Sequence, residues 1–249
     1  MVLVVTFVMF PAMAGLNAVA IPTVFSALAL VVVDSGFSQT LIRKDAPTQG
    51  DYKSVFLFNI VVSLLLYVLL VALAPVAARF YDMPVLTRIA PVLFLLLPLN
   101  ALCVIQNTIF TRQFRFALIS KVVFISTLAG GLVAVAMALA GCGVWSLVGQ
   151  RVTAMGTKAA LFWALSDWRP RVPYDGGALR RMAPYSTRLL ATDLIASVYN
   201  NISQLFVGRM YSADTLAYFN QAQKLKELPV TGTVQSVQNV TFPALAKIA

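Results

Sequence analysis

The spacing of its charges restricts this chain more than any other feature. No Asp, Glu, Lys or Arg occurs in residues 1–33, 54–78, 89–111 or 122–150. An α-helix rises ~1.5 Å per residue, so ~20 apolar residues cross the ~30 Å hydrocarbon core of a bilayer. Residues 55–75, 89–110 and 122–140 therefore read as complete spans, and 16–33 as another. Segments 143–165 and 185–208 read the same way but carry a few charges. Lipid offers the backbone no hydrogen bonds, so spanning segments are helices or strands of a closed barrel. Barrel strands alternate in polarity over ~10 residues, whereas 61–73 is almost continuously apolar. The expected fold is an all-α integral membrane protein, a polytopic helical bundle with about six complete spans.

Composition agrees. Hydrophobic residues make up 59% of the 249 and charged residues 11%, too few for the charged coat of a soluble domain, where roughly 25% is usual. Two cysteines exclude a disulfide scaffold, and the absence of histidine excludes imidazole catalysis and imidazole metal ligation. No paired carboxylates, nucleophile–base set or Walker motif is present. The chain is not expected to be an enzyme, nor to hold a metal or cofactor.

Both ends read as incomplete spans. Residues 1–13 amount to about half of one, and the run is interrupted at Pro11, Gly15, Asn17 and Pro22. The segment lacks the basic start of a signal peptide. Residues 229–249 read as the start of a further span behind Pro229. The expectation is one transmembrane domain over 1–249, belonging to something longer.

Short loops rich in Lys and Arg stay in the cytoplasm. Loops 34–54, 111–121 and 166–184 share one side and hold ten basic residues, against five on the other side at Arg79, Arg88, Arg209, Lys224 and Lys226. This asymmetry places the first set in the cytoplasm and explains most of the net charge of +10 without nucleic acid. The stretch 167–186 is expected as the longest polar loop, with 179–182 and its Arg180–Arg181 pair at the interface near anionic lipid headgroups. Residues 214–227 read as a short amphipathic helix on the far side.

Four ionisable residues fall inside the spans: Arg151, Lys158, Arg188 and Asp193. Such groups are costly in lipid and usually face a bundle interior or a watery cavity. Arg151 and Lys158 are seven apart, two helical turns, and share a face. With Asn200 and Asn201 they suggest a cationic, polar surface between spans 143–165 and 185–208, suited to a phosphate, diphosphate or acidic sugar. A plainer account stands beside it. Lys158 and Arg188 can snorkel to the interface, Asp193 can pair with Arg188 or Arg151, and the asparagines, with Asn59, Asn100 and Asn107, can hydrogen-bond between helices. The pair Gly130–Gly131 permits close helix packing or a flexible point.

A family resemblance is carried by short motifs in order. Asp34-Ser-Gly-Phe-Ser-Gln39 precedes Leu41-Ile-Arg-Lys44. There follow Asp51-Tyr52 with Val55-Phe56, Phe80-Tyr81, Gly143-Val-Trp-Ser-Leu147, Trp168-Arg-Pro170, Ala217-Tyr-Phe-Asn220 with Ala222-Gln223, and Phe242-Pro-Ala-Leu245. Over residues 14–249 the chain resembles Wzx-type polysaccharide flippases of the multidrug/oligosaccharidyl-lipid/polysaccharide exporter superfamily. The resemblance implies the N-terminal lobe of a two-lobed transporter, with the C-terminal lobe as a missing partner. It implies an undecaprenyl-diphosphate-linked oligosaccharide as substrate, a polar cavity, and alternating access driven by a coupling ion. Gln221 departs from the pattern, standing where relatives often carry a basic residue. Two alternatives stay open: a drug or lipid-precursor exporter of the same superfamily, and a truncated remnant without transport.

Overall fold

The computed structural model describes residues 13–34, 36–44, 46–81, 84–170 and 176–210, with side chains described between 22 and 199. The expected half-span at 1–13 (but for Met13, which opens the first helix), the amphipathic helix at 214–227 and the further span at 229–249 lie outside the described residues. Among the described residues the regular structure is helical: α1 Met13–Asp34, α2 Phe37–Arg43, α3 Gln49–Phe80, α4 Leu86–Phe94, α5 Leu96–Arg112, α6 Phe116–Leu139, α7 Trp145–Leu165 and α8 Gly176–Met210.

Four stretches are long and apolar enough to cross a membrane: Pro22–Arg43, Gln49–Phe80, Leu86–Arg112 and Phe116–Leu139. Helices α7 and α8 cover the two expected spans that carry charges. The protein is an all-α membrane helical bundle. Exposed Val61, Leu65, Val68 and Leu132 suit a surface solvated by hydrocarbon rather than by water.

Two expected boundaries change. The span at 89–110 is two helices, with a break at Leu95. Pro98 has no N–H for the Phe94 carbonyl four residues earlier, and Pro91 weakens the preceding turn in the same way. The loop expected at 167–186 is shorter, because α8 begins at Gly176 and continues through Pro184 for 35 residues. Burial outweighs the turn-forming residues: Ala178 and Met182 join Trp168, Tyr52, Phe56 and Ile105 in one core cluster. Arg180 and Arg181 remain exposed on the other face of that turn.

The basic loops meet at one end of the bundle. Arg112, the last residue of α5, donates from one guanidinium nitrogen to the carbonyls of Leu41 (2.5 Å), Ile42 (2.9 Å) and Lys44 (2.6 Å). These are carbonyls that the end of α2 leaves without helical partners. Lys44 pairs with Asp51 at 2.5 Å, and Thr48 with Asp51 forms a capping box that starts α3. Trp168 packs edge-on to Tyr52 and Phe56.

Small residues set the closest helix approaches. A Cβ on Gly130 would lie 2.6 Å from the Gln150 carbonyl and 2.9 Å from the Ala154 Cβ, so α6 and α7 touch backbone to backbone there. The Gly130–Gly131 pair is buried, which is the close-packing role. At Gly36, φ is +67° and a Cβ would meet the Ser186 carbonyl at 2.8 Å. Only glycine suits both the left-handed backbone and the space. Thr40 and Ser186 hydroxyls bond at 2.8 Å beside it, fastening α8 to the turn between α1 and α2.

Candidate functional site: a polar face between α1 and α7

Helices α4 and α5 form the floor of this face. α1 lies on one side, packed through Ala29 and Val33 onto Leu97 and Ala101. On the other side α7 packs Val148 onto Ile89, Leu93 and Leu96. Helix α8 packs against α1, α2 and α3, and α7 against α4, α5 and α6. Across this floor the Arg151 side chain of α7 reaches α1. Spacing along one helix reveals a face but not the helix opposite it.

Arg151 is half-buried on α7, and its guanidinium donates to the Thr23 hydroxyl of α1 at 2.8 Å. Lys158 lies two turns further along, about 10 Å at ~1.5 Å per residue. Its ammonium sits 5.6 Å from the centroid of the Phe162 ring, an attractive cation–π distance. Asp34, the exposed last residue of α1, accepts a hydrogen bond from the Asn100 amide of α5 at 3.4 Å. It lies within electrostatic reach of Lys158 and of the half-buried Asp193 on α8.

The expected residues thus divide. Arg151 reaches Thr23 of α1 and Lys158 lies two turns along the same helix, whereas Asp193 is half-buried and Arg188 exposed on α8, with no ion pair joining either to them among the described residues. No ion pair joins Asp193 to Arg188 or Arg151 among the described residues. Asn200 and Asn201 lie on α8, and their side chains are outside the described residues. Asn100 bridges helices as expected. Asn107 faces outward, and Asn59 is fully buried with both amide atoms unpartnered among the described residues.

Sequence reasoning missed Thr23, Asp34 and Asn100 as members of the site. Thr23 is one hydroxyl in a long apolar run. Asp34 was read as a loop charge because it ends the run, although it still belongs to the last turn of α1.

At Arg151 a cation meets a neutral hydroxyl, an arrangement that can receive an anion directly. On the opposite flank of α1, Pro22 and Phe25 line an apolar cavity of about 290 Å³ with Leu70, Ala74, Leu86 and Phe94. Its chemistry suits hydrocarbon. Among the described residues no cluster of His, Cys, Asp and Glu could hold a metal ion.

A membrane bundle with charged groups turned inward defines a class of proteins that move or handle polar molecules within lipid. Comparison gives the family. Residues 15–249 match the polysaccharide biosynthesis protein family, and the chain belongs to it, in keeping with the motif resemblance to Wzx-type proteins. It is 28% identical over 228 residues to the teichuronic acid biosynthesis protein TuaB of Bacillus subtilis, covering 89% of this chain and 46% of that protein. It is 21% identical over 229 residues to the succinoglycan biosynthesis transport protein ExoT of Rhizobium meliloti, covering 89% and 46%. It is 22% identical over 217 residues to the amylovoran biosynthesis protein AmsL of Erwinia amylovora, covering 84% and 55%. The chain spans about half the length of the curated relatives it matches. No solved structure matches it.

Proposed function

We propose that this chain forms one lobe of a multi-pass inner-membrane transporter, not an enzyme. It flips an undecaprenyl-diphosphate-linked oligosaccharide for lipopolysaccharide or exopolysaccharide synthesis. The basic loops joined by Arg112 and Trp168 face the cytoplasm in this reading. The observation that carries it is Arg151. A guanidinium remains charged at any physiological pH, and its recorded hydrogen-bond partner here is the neutral Thr23 hydroxyl. A cation within a membrane bundle and without a carboxylate in that bond suits a passing anion such as a diphosphate. The printed descriptions of the relatives, polysaccharide biosynthesis and transport proteins, support the substrate class.

The test is Arg151→Ala in the full chain, with cell-surface polysaccharide, lipid-linked intermediate and protein abundance measured together. The expected result is export reduced by about tenfold or more, intermediate accumulated and abundance unchanged, a loss of ~1.4 kcal/mol or more in head-group stabilisation. Arg151→Lys keeps the charge but loses the guanidinium fork and should fall between. Normal export at normal abundance removes Arg151 from the transport path.

A further inference from the structure

Helix α8 gives one side to the bundle and leaves another exposed. Ala178, Met182 and Ser186 are buried, and Asp193 lies half-buried with that side. Arg181, Arg188 and Ile195 follow one another at two-turn intervals, nearly in line, and all three are exposed. Ala191 and Val198 flank Ile195 and are exposed too. The hydroxyl of Thr192 turns back onto the Arg188 carbonyl at 3.1 Å, so it asks nothing of the surroundings. The exposed stripe therefore begins cationic and continues apolar.

Helix α2 adds a second cation to its start. Arg43, the exposed last residue of α2, lies over the Tyr185 ring at 5.0 Å, an attractive cation–π distance. Tyr185 stands on α8 between Arg181 and Arg188, four residues after one and three before the other. The joint is firm, because the Thr40 and Ser186 hydroxyls bond at 2.8 Å and Gly36 sits against Ser186 and Leu189. Lys44 is committed to Asp51, whereas neither Arg43 nor Arg188 enters an ion pair among the described residues.

The depth of the stripe follows from the same contacts. Gly36 lies just past the end of α1, where a span leaves the hydrocarbon, and it packs at the level of 186–189. Arg188 is thus at headgroup level. From there to Val198 the helix runs about 15 Å, half of the ~30 Å hydrocarbon core. The side chains change from cationic to apolar at the level where one lipid leaflet changes from phosphate to acyl chain.

We propose that Arg43 and Arg188, with Tyr185 between them, hold the phosphate of an anionic membrane phospholipid whose acyl chain lies along Ala191, Ile195 and Val198. One molecule carries both chemistries in the order the stripe presents them. A guanidinium fork matches phosphate oxygens, and a net negative headgroup complements the two cations where a zwitterionic one does not. The bound lipid bridges α2 and α8 from outside. The site is separate from Arg151 and does not rest on the transport reading.

The experiment is native mass spectrometry of the full chain in non-ionic detergent, titrated with dioctanoyl phosphatidylglycerol, dioctanoyl phosphatidylcholine or glycerol phosphate. Wild type should bind the phosphatidylglycerol about tenfold more tightly than the phosphatidylcholine. Arg43→Gln and Arg188→Gln should each weaken it about fivefold and leave phosphatidylcholine unchanged. Arg188→Lys, which keeps the charge without the fork, should fall between and serves where the glutamine protein is not monodisperse. Ile195→Ser should weaken both lipids alike and keep the preference. Arg79→Gln, at an exposed arginine near the end of α3, should change nothing. No preference in wild type overturns the proposal and leaves this face to a protein partner. Equal losses from Arg79→Gln and Arg188→Gln overturn it in favour of diffuse surface charge. Glycerol phosphate binding as tightly as the lipid overturns the acyl-chain track and leaves a phosphate site alone.

Discussion

Replacing Arg112 by methionine keeps most of the stem volume and removes the guanidinium, so it isolates the polar role of this residue. The three carbonyls of Leu41, Ile42 and Lys44 all accept from the same nitrogen. That nitrogen carries two hydrogens, so the three contacts amount to two full bonds, one of them shared. Hydrogen bonds to a charged group contribute ~1.5–3 kcal/mol each, giving ~3–6 kcal/mol before relaxation. The carbonyls lie at the basic-loop end of the bundle, where part of the loss is recovered by water, leaving ~2–4 kcal/mol. For a protein of this size that corresponds to a fall in melting temperature of at least about 5 °C. The assay is thermal denaturation of the detergent-solubilised full chain, followed by the fraction remaining monodisperse. Arg112→Lys, which can restore one bond or two but not the fork, should lose about half as much. A methionine variant that melts within ~1 °C of wild type would refute the reasoning, showing that the contacts of Phe37, Leu41 and Thr40 hold α2 without Arg112.

Two further outcomes follow from the packing and from the topology. Gly130→Val should lower stability by ~2 kcal/mol or more and reduce export, because its branches meet the Gln150 carbonyl and Ala154 and force α7, with Arg151, away from α6; wild-type melting and export would show that the helices part freely. Cys142 is exposed in the turn between α6 and α7, and Cys103 is buried. A membrane-impermeant maleimide applied to spheroplasts should therefore label Cys142 and leave Cys103 unmodified, whereas labelling of Cys142 only after permeabilisation would invert the proposed orientation.

Much of this architecture was legible in the sequence because lipid imposes a length on every span. The charge-free runs at 54–78, 89–111 and 122–150 leave a helix as the one way to satisfy their backbone, and α3, α4 with α5, and α6 lie there. The small pair Gly130–Gly131 announced close approach, and Arg151 and Lys158 announced a shared face, since both follow from helical periodicity within one segment. Helix α8 was legible only from 185 onward. Gly176, Gly177 and Pro184 carry the local signature of a turn, and it took burial of Ala178 and Met182 among aromatic side chains from three other segments to extend the helix through them.

Sequence alone therefore determined that the chain is a helical membrane bundle, which residues carry charge into it, and which of them share a helix face. Tertiary structure decided what those charges meet. Arg151 reaches Thr23 across 128 residues of chain, and Asn100 reaches Asp34 across 66. Periodicity holds no information about which helix stands opposite, because partner choice depends on side-chain shape summed over whole interfaces. The meeting of Arg151 with the Thr23 hydroxyl belongs to the packing of whole helices, which no single segment records.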